Sequence, residues 1–114
     1  MRRRMHALFM TQNPLFFSRR YEVAEFAVRL RLPSMYGYRE FVEAGGLLSY
    51  GSSLPGAYRQ SARLIDKILK GTSPADLPFE LATRFELAIN LKTAKAIGLT
   101  IPESFLLLAD EVIE

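Results

Sequence analysis

One succession constrains this chain more than any other: a short segment from Leu47 to Tyr50, then Gly51-Ser52-Ser53, then a helix-patterned stretch from Leu54 to Lys70. In that stretch Leu54, Ala57, Tyr58, Ala62, Ile65, Ile68 and Leu69 recur at helical spacing and form one apolar stripe. Pro55 is tolerated in the first turn, where its missing N–H would have been unpaired anyway, and Gly71 supplies the stop. A strand that passes through a glycine turn straight into a long helix is a unit of an α/β fold.

The rest of the chain repeats that unit. Ala7 to Met10 is a short apolar run closed by Thr11-Gln12-Asn13-Pro14, which suits a strand buried on both faces. Ser18 can cap a helix through Leu30, in which Phe17, Tyr21, Ala24 and Val28 keep helical spacing and Glu25 reaches Arg29. Pro33 ends it, and Leu32 to Tyr36 predicts a second strand. A short helix over Tyr38 to Ala44 closes at Gly45-Gly46, before the third strand. After the long helix come a loop, Thr72 to Pro78, and an extended stretch, Phe79 to Asn90, with Phe85, Leu87 and Ile89 alternating. A helix over Leu91 to Ile97 capped by Gly98, an extended Leu99 to Ile101 and a last helix from Pro102 complete the chain. The alternation predicts a single α/β domain over residues 1–114, with a partial doubly wound, mainly parallel sheet flanked by helices.

Composition narrows the function classes. At 114 residues, 49% of them apolar, the chain supports one core and not two. It has no cysteine, so disulfide frameworks, thiolate nucleophiles and zinc ribbons are excluded. Arg2, Arg3 and Arg4 account for the whole excess of 15 basic over 12 acidic residues. The charge therefore sits on a basic tail over residues 1–5, where nucleic-acid binding calls for a patch across a folded face, and no nucleic-acid partner is expected. No stretch reaches the roughly 18 apolar residues of a membrane span, so no membrane insertion is expected. Met1 to Met10 is too short for a signal peptide, and the chain as written is expected to stay in the cytoplasm.

Catalytic chemistry has little to stand on. His6 is the only histidine and lies far in sequence from any carboxylate; Glu40 and Glu43 read as a solvated helix face. No catalytic residue, metal ligand or cofactor is predicted, and no Walker loop or Gly-x-Gly-x-x-Gly occurs. The informative places are the strand ends. In an open α/β sheet, ligands collect beyond the carboxyl ends of parallel strands, here Asn13, Tyr36-Gly37 and Tyr50-Gly51-Ser52. Backbone N–H groups at the start of the long helix could receive an anion, and the tyrosines could stack on an aromatic ligand. A plainer account of the same residues is that Ser52 or Ser53 only caps the helix, and that Tyr36, Tyr38 and Tyr50 are half-buried packing.

Four blocks carry a resemblance: Leu32-Pro-Ser-Met-Tyr-Gly-Tyr-Arg-Glu-Phe-Val-Glu-Ala-Gly-Gly-Leu-Leu-Ser-Tyr-Gly51, Lys67-Ile-Leu-Lys-Gly-Thr-Ser-Pro-Ala-Asp-Leu-Pro78, Phe85 to Leu99, and Ala109-Asp-Glu-Val-Ile-Glu114. Together they resemble the C-terminal part of ABC-transporter substrate-binding proteins of the tryptophan and tyrosine type. The resemblance implies a fragment of a type I periplasmic-binding-protein fold, whose two lobes close on a small organic solute such as an aromatic amino acid and deliver it to a permease outside the inner membrane. It places Gln12 to Phe16, Tyr36 and Tyr50-Gly51-Ser52 near the cleft. The first lobe of such proteins has no counterpart in these 114 residues. A homo-oligomer whose partner supplies the missing packing is therefore expected, with ligand binding lost or dependent on that association. The alternative is a structural module that assembles without a small ligand.

Overall fold

The structure, a computed structural model, describes residues 4–82 and 84–114. Arg2 and Arg3 of the basic tail lie outside the described residues, and Arg4 is exposed. Five strands form one sheet in chain order. Strands β1 (Leu8–Met10), β2 (Ser34–Tyr36) and β3 (Leu48–Ser52) are parallel neighbours; β4 (Phe85–Asn90) runs antiparallel to β3, and β5 (Glu111–Ile113) is parallel to β4. The helices are α1 (Pro14–Ser18), α2 (Arg20–Arg29), α3 (Arg39–Glu43), α4 (Leu54–Leu69), α5 (Leu91–Ala96) and α6 (Glu103–Leu106), with a 3-10 turn at Pro74–Asp76. The protein is an α/β fold on a mostly parallel sheet, as the alternation predicts.

Most of the core lies on one face of the sheet, although Ile89, which pairs with Leu48 on the opposite face, is fully buried as well. Pairing aligns Tyr36 with Ser49 and Ser49 with Ala88, so these buried residues share a face. Helix α3 covers it: Phe41 stacks on Tyr36 with ring centroids 4.8 Å apart and planes 9° from parallel, and meets Phe17 edge-on at 6.1 Å. A Cβ on Gly46 would stand 2.5 Å from the Tyr36 ring, so only glycine lets the chain pass there. Buried Asn90 ties the layer together. Its Nδ2 donates to the Val42 carbonyl at 3.2 Å, and its Oδ1 accepts from the Thr93 N–H at 3.1 Å, capping α5. The Thr93 hydroxyl donates to the Gly45 carbonyl at 2.8 Å, so α5 is pinned to the turn that follows α3.

Several expectations need correction. β1 is not buried on both faces, because Phe9 is 66% exposed on the side that α3 does not cover. The helix read from Ser18 starts earlier and is split: Asn13 Oδ1 accepts from the Leu15 N–H at 2.9 Å, starting α1, and Arg19 separates α1 from α2. α2 stops through Arg31, which takes the left-handed conformation at φ 54°, and not at Pro33. The helix from Pro102 is a single turn, and the chain ends in β5. There Asp110 holds Leu87 from both sides: its N–H donates to the Leu87 carbonyl and its Oδ2 accepts from the Leu87 N–H, each at 2.8 Å.

α4 is oriented against the usual rule. None of its residues is buried. Its polar side faces the segment before β4, where Gln60 Nε2 and Arg63 Nη2 each donate to Glu80 Oε2 at 2.7 Å. Those hydrogen bonds, Gln60 first, together with the charges of Arg63 and Lys67, hold the Glu80 carboxyl below its usual range. The apolar stripe points away from the chain, and the molecule is long, 57 × 35 × 23 Å.

Candidate functional site

The carboxyl ends of β1, β2 and β3 converge. Gln12 Nε2 donates to the Gly37 carbonyl across the first two at 3.4 Å. Across the second and third, a Cβ on Gly51 would run into the Gly37 carbonyl oxygen, so the two backbones approach as closely as glycine permits. The parallel strand ends thus form one continuous rim, the place where open α/β sheets take ligands.

Beside that rim, a hollow of about 260 Å³ opens between the start of α4 and the segment entering β4. Ser52, Ser53, Arg59, Arg84 and Glu86 line it. Its size is just under the roughly 300 Å³ at which ligand pockets begin, so it accommodates part of a small solute and leaves the remainder facing outward. Ser53 is the helix cap, its Oγ accepting from the Gly56 N–H at 3.1 Å, which leaves Ser52 as the lining hydroxyl. Tyr50 is 53% exposed and stacks on Phe85, with centroids 5.7 Å apart and planes 20° from parallel. Next to the hollow, Arg39 bridges Glu43 at 3.2 Å and Glu111 at 3.3 Å, holding β5 to α3.

The six residues read as ligand contacts occupy different environments. Gly37, Gly51 and Ser52 lie on the rim, and Tyr50 presents its ring beside Phe85. Asn13 is exposed at the end of β1, with its side chain engaged as the α1 cap. Tyr36 is fully buried under α3, so it supports the rim from within. Arg59, Arg84 and Glu86 were missed. Glu86 falls in the interval of the Phe85, Leu87, Ile89 alternation, which marks its side chain for the opposite face; its pairing with Gly51 has no local signal. Among the described residues no group of three or more histidine, aspartate or glutamate side chains is placed to hold a metal, and no helix is long and apolar enough to cross a membrane.

Tyr36 carries a testable consequence. Its hydroxyl is buried and makes no hydrogen bond of good geometry, so Tyr36→Phe is expected to raise stability by roughly 1 kcal/mol at neutral pH. Burial raises the phenol above its ordinary value of 10.0, with Ser34 offsetting part of the effect. The unfolded chain therefore releases this proton first as pH climbs through about 10, and the folded state loses stability there and not below. Tyr36→Phe should remove that alkaline loss; urea titrations at neutral pH and above pH 10 test both parts, and equal losses in the two proteins would refute the second.

Comparison with known proteins bears on the whole chain. The family description "ABC transporter substrate binding protein" matches residues 2–113. No curated protein matches. Among solved structures, a conserved domain protein from Vibrio cholerae O1 biovar El Tor superposes with a TM-score of 0.87 at 25% identity over 94% of this chain and 36% of its own. An ABC domain from Streptococcus pneumonia in complex with L-Trp gives 0.86 at 30% identity, over 95% of this chain and 37% of its own. A ligand-free, open substrate binding protein with adhesive properties from Clostridium difficile gives 0.62 at 22% identity and shares the fold. The chain spans just over a third of the length of these structures.

Proposed function

The chain belongs to the ABC transporter substrate-binding protein family, and from that membership we propose that it supplies one wall of a cleft for a small organic solute, an aromatic amino acid foremost. The observation that carries this reading is the rim where Gln12, Gly37 and Gly51 meet, with the Ser52 hollow on one side and the Tyr50 and Phe85 rings near it. A carboxylate fits the serine and arginine lining, and an aromatic side chain fits the exposed stack. The L-Trp held by the Streptococcus pneumonia domain supports that choice of solute. In this reading Asn13 and Tyr36 shape the rim, while Gly37, Tyr50, Gly51 and Ser52 border the ligand. The protein binds and does not transform its solute, needs no cofactor, and serves a permease outside the inner membrane. A second body, another copy or a separate lobe, closes the cleft.

L-tryptophan and L-tyrosine should therefore raise the melting temperature of the chain by several degrees at saturating concentration, because a ligand that binds only the native state stabilises it by about 2.7 kcal/mol at a hundredfold excess over Kd. Leucine should do less, and Tyr50→Ala should abolish the response to the aromatic pair. A melting temperature indifferent to all amino acids would remove this reading. The bare apolar stripe of α4 favours a second one, an assembly module without a small ligand, which predicts that indifference.

A further inference from the structure

Resting on the solute reading of the hollow, we propose that Glu86 takes the ammonium group of the solute, so that the site selects α-amino acids over aromatic acids and aromatic amines. Glu86 is half-buried near the start of β4 and lines the hollow of about 260 Å³ beside the rim. Among the described residues no basic side chain comes within ion-pair distance, 4.0 Å, of its carboxylate.

The fold keeps that carboxylate without a counter-charge. Across the antiparallel ladder Glu86 pairs with Gly51, which has no side chain to neutralise it, and Ala88 is its neighbour on the same face of β4. Arg39 reaches the same end of the sheet but is engaged by Glu43 at 3.2 Å and Glu111 at 3.3 Å. Arg63 is held by Glu80 at 2.7 Å. Arg59 and Arg84 line the hollow together with Glu86, yet among the described residues neither forms an ion pair with it or with another carboxylate. Charges of both signs therefore border one cavity without neutralising each other.

A carboxylate held partly out of water and left unpaired is unfavourable, and an ammonium group placed against it relieves the penalty. The complementary ligand carries both signs a short distance apart. An α-amino acid does so, with its carboxylate toward Ser52 and the arginines and its ammonium toward Glu86. An aromatic acid would bring a second negative charge beside Glu86 and leave it unpaired, while an aromatic amine would leave the serine and arginine lining empty. Because the hollow takes only part of a small solute, it reads this head group and leaves the side chain to the rim.

Isothermal titration calorimetry on the whole chain tests this with three solutes: L-tryptophan, indole-3-propionate, which lacks the amine, and tryptamine, which lacks the carboxylate. The unaltered protein should hold L-tryptophan roughly tenfold or more tighter than either analogue, because a site built for a polar group rejects the ligand without it. Glu86→Gln keeps the size and removes the charge. It should weaken L-tryptophan roughly tenfold to a hundredfold and leave indole-3-propionate unchanged or tighter, so that the two affinities converge. Retained binding of indole-3-propionate and an unchanged far-UV circular dichroism spectrum show that the variant is folded. Equal affinity of the unaltered protein for L-tryptophan and indole-3-propionate, or a Glu86→Gln variant that weakens both by the same factor, would overturn the role of Glu86 and leave the solute reading standing. Binding of none of the three would remove both.

Discussion

Phe41→Ala should cost about 3–5 kcal/mol and leave much of the protein unfolded at physiological temperature, since domains of this size have only about 5–15 kcal/mol in total. Phe41 is 1% exposed and belongs to a helix of five residues, which has no independent stability of its own. It stacks on Tyr36 from above and takes Phe17 against its edge, so one side chain joins α3, β2 and α1. Its removal leaves a void that the rigid sheet below cannot close. Phe41→Leu keeps most of the volume and should lose less than half as much. Urea denaturation followed by circular dichroism measures both, and a loss below 1 kcal/mol for Phe41→Ala would contradict the central place given to this layer.

Gly51→Ala should be the second most damaging change, at about 2–3 kcal/mol, the upper range for overpacking. The added carbon would meet the Gly37 carbonyl, which is backbone and cannot swing aside, so β2 and β3 must part at the rim. Gly37→Ala is the control. There the new carbon would stand 2.6 Å from Gln12 Cγ, on an exposed side chain that can rotate away, and a loss well under 1 kcal/mol is expected. If Gly51→Ala melts with the parent protein, the close approach of the strand ends is not what shapes the rim. If the two alanine variants lose equally, the distinction between backbone and side-chain neighbours fails.

What could be read in the sequence was what is decided locally. α4 was legible from its stripe, from Pro55 in its first turn and from Gly71, which takes φ 111°. Gly98, at φ 77°, ends α5 as expected for a residue with no Cβ to clash. β5 was not legible: three residues carry too little alternation to distinguish a strand from a helix tail, and what makes it a strand is Asp110 gripping Leu87, 23 positions away. The antiparallel turn of β4 against β3 has no local signature either. At the site, the glycine and serine of the rim were recognisable from the turn they form. The inward rotation of Tyr36 and the outward one of Tyr50 were not, since in the sequence each tyrosine stands just before a glycine at the close of a short run, and it is the packing of Phe41 and Phe85 that separates them. The same holds for Arg84 and Glu86, brought to the hollow by a pairing that spans the whole of α4.

Strand order identical to chain order also fixes how this sheet can be assembled. Each strand leaving the ribosome finds its only earlier neighbour already made, so growth proceeds by addition at one edge and never by insertion between paired strands. The most distant pairing is between β3 and β4, where 32 residues separate Ser52 from Phe85 and a long loop must close before the contacts reward it. Up to that moment β3 is an open edge; afterwards the exposed borders are β1 and β5, at opposite limits of the sheet, so the two ends of the chain leave it in different places, about 19 Å apart across four strand spacings.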